Sequence, residues 1–164
     1  MSIYIGLGAN LAGPAGPPRA TLEAALARLA AAGVTVVRRS RWYRSPAWPD
    51  PADPEFVNAV AEVETPLDAG GLLRLLHGIE SALGRTRTAP NAPRVIDLDL
   101  LDYRGAVEAA PAGPVLPHPR LHLRAFVLRP LAEIAPAWRH PVSRREVADL
   151  IAGLPPEALA DPSD

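Results

Sequence analysis

Residues 93–101 read Pro-Arg-Val-Ile-Asp-Leu-Asp-Leu-Leu, and this stretch limits the fold more than any other. Residues two apart on a strand share a face, so Ile96, Leu98 and Leu100 point one way and Asp97 and Asp99 the other. The segment therefore calls for a sheet with one oily face and one face free to carry a pair of acids. Neighbouring carboxylates repel unless a cation sits between or beside them. Oxygen ligands of this kind suit Mg²⁺, which takes one or two protein carboxylates and leaves its other positions to substrate phosphates. Arg94, three residues before Asp97, adds a donor suited to phosphate. A magnesium–phosphate site on a sheet is the first expectation.

The rest of the chain supplies such a sheet. Residues 2–8 read as a strand ending in Gly6-Leu7-Gly8-Ala9-Asn10, where the backbone passes close to a ligand or neighbour. Thr21–Ala32 has apolar residues at helical spacing and stops at Gly33. Val34–Tyr43 is β-branched and reads as one strand. The proline-rich stretch from Ser45 to Pro54 reads as a loop. Phe56–Val63 alternates as a strand. Thr65-Pro66-Leu67-Asp68 opens a helix with Leu72, Leu75, Leu76, Ile79 and Leu83 on one stripe. After the acidic strand, residues 104–119 read as a turn, a short strand and a rigid loop. Leu121–Ala135 reads as helical, broken or restarted at Pro130. Ser143-Arg144-Arg145-Glu146 caps a last helix ending at Gly153, and the tail from about 155 is expected to fray. The order β-α-β-β-α-β predicts an α+β fold: a ferredoxin-like, split-βαβ antiparallel sheet with helices on one face and C-terminal additions.

At 164 residues and 48% hydrophobic, the chain reads as one domain, 1–164, with a real core. A net charge of −1 gives no field for nucleic acid, and no cysteine is present for disulfides or thiolate chemistry. The 17 basic residues are all arginine, so a Walker-A or Schiff-base lysine is excluded. Any phosphate grip must come from Arg, His, backbone N–H groups or metal. With no signal-peptide pattern or spanning apolar run, the expectation is a cytoplasmic protein, away from membranes.

Several side chains stand out beside Asp97 and Asp99. Arg85 and Arg87 lie in the loop feeding the acidic strand. A triphosphate carries about four negative charges and calls for several cations, Arg94 and Arg124 among them. His118 is wedged between Pro117 and Pro119. His77 and Glu80 lie together on the flank of the second helix. Phe56, Asn58 and Phe126 suit a flat-ring pocket, with the Asn58 amide reading a heterocycle edge. Each has a plainer reading as core or solvated surface; the grouping weighs against it. Gly6-Leu7-Gly8 is not a dinucleotide fingerprint, since Leu11 stands at the third glycine position.

Taken in order, Gly6-Leu7-Gly8-Ala9-Asn10-Leu11, Trp42-Tyr43-Arg44-Ser45-Pro46, Phe56-Val57-Asn58-Ala59, Gly84-Arg85-Thr86-Arg87, the acidic strand and Pro117-His118-Pro119 resemble the 6-hydroxymethyl-7,8-dihydropterin pyrophosphokinases of folate biosynthesis. The resemblance spans roughly residues 2–150. It implies transfer of pyrophosphate from ATP to the pterin hydroxymethyl group with release of AMP. It further implies two Mg²⁺ ions on Asp97 and Asp99, and a catalytic set of these two with Arg85 and Arg94. ATP would meet His77, Glu80, Arg85, Arg87, Arg94, Leu100, His118 and Arg124. The pterin would meet Ser45, Pro46, Trp48, Phe56, Asn58 and Phe126. Small-molecule substrates, no obligate protein partner and a monomer are the corresponding expectations. Two departures stand out: Asn91-Ala92 where the family usually has an aromatic residue, and Phe56 in place of a frequent Tyr. Two other readings remain open, a palm-type nucleotidyltransferase and a small-molecule-binding regulatory module without turnover.

Overall fold

In the computed structural model, which describes residues 1–47, 50–85, 93–109, 111 and 113–163, β1 (Ile3–Ala9) is buried along its whole length. It lies between β4 (Phe56–Glu64) and β5 (Asp97–Tyr103), antiparallel to both. β2 (Thr35–Arg39) and β3 (Tyr43–Ser45) both pair with the far edge of β4. The expected single strand Val34–Tyr43 is thus two. Ser40 makes the break: its hydroxyl donates to Arg41 O at 2.8 Å and accepts from Val60 N at 3.0 Å. The side chain takes over backbone bonding there, and the chain re-enters the sheet further along.

Two helices cover one face. α1 (Pro18–Ala31) and α2 (Ala69–Ala82) bury Leu22, Leu29, Leu72 and Leu76 against Ile5, Leu7, Ala59, Leu98 and Leu100. The α2 cap is Asp68, whose carboxylate accepts from Gly71 N at 2.7 Å. Thr65 instead holds the preceding turn, accepting from Leu67 N at 3.1 Å. The helix therefore opens one turn later than its Thr-Pro start suggested.

The second face is not left wholly bare, which corrects the expectation of helices on one side only. After a small hairpin, β6 (Glu108–Ala109) with β7 (Val115–Leu116), and a 3-10 turn at Leu121–Leu123, the chain forms α3 (Ala125–Ile134) and α4 (Val147–Ala152). These pack on Tyr4, Val60 and Leu101. α3 runs unbroken through Pro130, whose ring supplies no N–H for the Phe126 carbonyl. α4 is capped by Glu146 rather than by Ser143, because Arg144 adopts a left-handed φ of 63° and turns the chain before the helix begins.

A register shift next to the pairing of Ile5 with Leu100 puts a bulge at Leu101. Leu101 and Asp102 consequently both serve the α3 side: Leu101 joins that core, and Asp102 accepts from Trp138 Nε1 at 2.8 Å. Before the bulge, β5 leaves Asp97 and Asp99 uncovered. The tail returns to the sheet. β8 (Asp161–Pro162) pairs with β3, and Ser163 N donates to Trp42 O at 2.9 Å.

Candidate active site

The register sets the site out in rows. Asp99 lies opposite Gly6, and Asp97 opposite Gly8. Gly8 lies in turn opposite Asn58, and Asn58 opposite Tyr43. Residues directly opposite share a face, so Asp97 and Asn58 rise on either side of a glycine that has no side chain. The two interstrand spacings between them amount to about 9–10 Å. The absent side chain makes room for the amide: a Cβ on Gly8 would stand 2.6 Å from Asn58 Nδ2 and displace it. The result is a shallow trough at Gly8, with acids on one bank and the Asn58 amide leaning over it from the other.

On the acidic bank a cleft of about 460 Å³ opens between α2, β5 and the segment 114–124. Arg85 Nη1 lies 3.1 Å from Asp97 Oδ1, and Arg94 Nη1 lies 3.4 Å from Asp97 Oδ2. Arg124 Nη1 is 3.7 Å and His118 Nε2 3.9 Å from the Asp99 carboxylate. Glu80, only 4% exposed, accepts from Leu98 N at 2.7 Å and also pairs with Arg85. It ties α2 to β5 and holds the Arg85 guanidinium toward Asp97. His77 and Leu100 line the same cleft.

The electrostatics follow from crowding. Burial, and then the Asp97 charge, push the Asp99 carboxyl up to about 7 despite Arg124. Its side chain is still 26% exposed and faces the cleft. Burial raises the Glu80 carboxyl as well. Burial, and then the Arg124 charge, bring the His118 imidazole down to about 4, so it is neutral near pH 7. Its Nδ1 accepts from Arg120 N at 3.1 Å, which leaves the proton on Nε2, facing Asp99. The donor set suits a divalent cation: two carboxylates on one strand face, one of them destabilised as an anion, open to a cleft walled by arginines. Among the described residues no group of three or more His, Cys, Asp or Glu side chains forms a full protein cage.

On the other bank, Ser45 Oγ donates to Asn58 Oδ1 at 3.1 Å, and both residues are buried. Phe56 pairs with Ser45 across β3–β4. Phe126 opens α3 beside Arg124, whose guanidinium lies 5.3 Å from the ring centre. Pro46 follows β3 and is exposed. Trp48 and Arg87 lie outside the described residues, as do Asn91 and Ala92.

Sequence reasoning passed over some side chains. Asn10 is 3% exposed; its Oδ1 accepts from Arg94 N at 2.7 Å and its Nδ2 donates to Pro54 O at 3.0 Å. It ties the start of the acidic strand to the loop before β4. Its only signal was its place at the end of Gly6-Leu7-Gly8-Ala9. Leu73, Val115 and Arg120 also line the cleft. A separate hollow of about 540 Å³ between α1 and β2 is lined mainly by aliphatic side chains and by none of these residues.

The family model described as 7,8-dihydro-6-hydroxymethylpterin-pyrophosphokinase matches residues 4–136. A Methylorubrum extorquens protein named 2-amino-4-hydroxy-6-hydroxymethyldihydropteridine pyrophosphokinase is 43% identical over 157 residues, covering 95% of both chains. A Synechocystis protein of the same name is 41% identical, over 90% of this chain and 73% of its own. A Pneumocystis carinii folic acid synthesis protein is 35% identical over 90% of this chain, which matches 19% of that longer protein.

Proposed function

The chain belongs to the 7,8-dihydro-6-hydroxymethylpterin-pyrophosphokinase family, an ATP-dependent diphosphate transferase family, and on that premise we propose that it moves pyrophosphate from ATP to 6-hydroxymethyl-7,8-dihydropterin in folate biosynthesis. One observation carries the reading. The register puts a cation-lined acidic cleft on one side of Gly8 and the Asn58 amide, with Phe56 two residues before it, on the other side of the same sheet face. A phosphate donor in the cleft and a flat heterocycle against Asn58 would meet at Gly8.

In this reading the pterin hydroxymethyl oxygen gives up its proton to water and bonds to the β-phosphorus, the bond from that phosphorus to the α–β bridging oxygen breaks, and AMP leaves with that oxygen. Asp97 and Asp99 would hold two Mg²⁺, which supply charge neutralisation for the phosphates. Arg85, Arg94 and Arg124, with Arg87 from the adjoining loop, bind the triphosphate by charge-assisted hydrogen bonds. Neutral His118 offers its Nε2 proton to a phosphate or ribose oxygen. His77, Glu80 and Leu100 complete the nucleotide side, where Glu80 acts by holding Arg85. Phe56 and Phe126 stack on the pterin, and Ser45, Pro46 and Trp48 close its edge. Asn58, its oxygen taken by Ser45, presents its amide N–H toward the trough to read a ring acceptor. Catalysis is then mostly positioning and charge placement, with no demand for a strong protein base.

Strand order β5-β1-β4-β2, with α1 and α2 as the two crossovers, supports the ferredoxin-like description. We read residues 1–164 as one domain, a cytoplasmic monomer acting on small molecules with no obligate partner. Among the described residues no helix is long and apolar enough to cross a membrane.

The test is product identity. Protein, Mg²⁺, ATP and the hydroxymethyldihydropterin should yield AMP and a pterin diphosphate in equal amounts. ADP, or free pyrophosphate with a nucleotidylated pterin, would refute the reaction; binding without turnover would favour a regulatory module.

A further inference from the structure

The family match ends at residue 136, yet the chain beyond it returns to the pterin side of the site. β8 covers the outer edge of β3, pairing Asp161 with Arg44 and Pro162 with Tyr43. Ser163 then fastens the end of the segment through its N–H to Trp42 O at 2.9 Å. Ala160 is 3% exposed and forms a small buried cluster with Tyr43 and Ala125. Phe126 packs against that cluster together with Leu154 and Ala158. On the same segment of chain, Tyr43 is opposite Asn58 and Ser45 bonds to it.

From this we infer that the C-terminal segment 154–163 is a positioning element for the pterin pocket, acting through Phe126 and β3 and touching no substrate itself. The inference rests on the assignment of Phe126, Ser45 and Asn58 to that pocket. Without the segment, β3 is a three-residue edge strand paired on one side, and Phe126 loses part of its backing. The nucleotide cleft is built from α2, β5 and residues 114–124, none of which pairs with β8. Loss of the segment should therefore divide the two substrates.

The experiment uses chains ending at Pro155 and, in the full-length chain, Ala160→Glu. The expected result is a KM for hydroxymethyldihydropterin raised about tenfold, the scale of one aromatic contact, with the KM for ATP within about twofold. Unchanged values, or both rising together, would overturn it. Should either variant fail to fold, the wild type decides. By reciprocity of coupling, a pterin that binds better when the segment is docked must dock the segment better. Hydroxymethyldihydropterin with Mg²⁺ and α,β-methylene-ATP should slow exchange at the Ser163 amide well beyond the nucleotide alone; equal exchange in both mixtures would count against the inference. Phe126→Ala in the full chain separates the premises. If it leaves the pterin KM unchanged, the pocket assignment fails; if it raises that KM while truncation does not, only the tail's role fails.

Discussion

Glu80 should be worth more to this fold as an acceptor than as a charge. Its Oε2 takes both the Leu98 N–H, at 2.7 Å, and the Arg85 guanidinium, so Glu80→Ala strands a buried amide at the head of β5. An unsatisfied buried donor costs about 1–3 kcal/mol. Arg85 keeps Asp97 at 3.1 Å and is not orphaned, so its share is smaller. The expected loss is about 2–3 kcal/mol, or roughly 5–10 °C in Tm for a chain of this size. Glu80→Gln retains an acceptor for Leu98 and gives up only charge assistance, a loss of about 1 kcal/mol. The pH dependence separates the two further. Burial raises the Glu80 carboxyl above its ordinary 4.5, so the folded state binds the extra proton. Its stability contribution therefore falls as pH rises from 4.5 toward the folded value, and the Gln variant lacks that slope. Urea denaturation from pH 4 to 8 without metal reads all three quantities. If Gln is as damaging as Ala, or Ala lies within about 0.5 kcal/mol of wild type, Glu80 is not the tie between α2 and β5 described above.

Asp99→Asn should lower kcat by at least about 100-fold while leaving the circular dichroism spectrum intact, and turnover near wild type would remove Asp99 from the metal site. Gly8→Ala puts a Cβ 2.6 Å from Asn58 Nδ2, so the amide must turn away; steady-state kinetics should give a higher pterin KM with little change in that for ATP. Glu133 joins α3 to β3, accepting from Tyr43 Oη and Arg41 N at 2.7 Å each. Burial pushes its carboxyl up, but these bonds and the Arg41 guanidinium outweigh that and bring it below its ordinary 4.5. The ionised form thus adds stability above pH 4.5, which is lost as pH falls through the lower, folded value. Glu133→Gln should be less stable than wild type near neutrality, the two denaturation curves meeting in acid; a constant gap across pH would contradict this.

What the sequence discloses here follows from what each signal depends on. Asp97 and Asp99 were legible because alternation is local: a strand that buries Ile96, Leu98 and Leu100 must aim the residues between them the other way. The α2 stripe was legible for the same reason, and its cap slipped from Thr65 to Asp68 because both types cap well and only the fold chooses. The side on which α3 packs was not legible. The apolar residues of 121–135 say that a face is buried, not which sheet face receives it. Asn10 was missed because its partners, Arg94 and Pro54, are 84 and 44 residues away. The pairing of the tail with β3 was not legible for a related reason. A proline-rich, partly acidic end reads as solvated until β3 offers an open edge, and small Ala158 and Ala160 carry little periodic signal.

The charge balance of the cleft bears on how many ions it takes. Among the described residues, Arg85, Arg94 and Arg124 pair with Glu80, Asp97 and Asp99, Arg120 lines the same cleft, and His118 stays neutral near pH 7. The walls thus carry about one net positive charge before a nucleotide enters. Burial, and then the Asp97 charge, hold the Asp99 carboxyl up at about 7 despite Arg124, so the anion there is poorly stabilised. A bound triphosphate brings about four further negative charges into the same space. Two divalent cations more than offset these, while one leaves a deficit of about one charge, which the paired arginines cannot make up without releasing the acids they already hold. Mg²⁺ titration with α,β-methylene-ATP should therefore give two ions per nucleotide, the second binding more weakly as pH drops below 7 and Asp99 takes up its proton. A stoichiometry of one at saturating Mg²⁺ would mean that a single ion and the arginines balance the triphosphate, and would refute the two-ion reading.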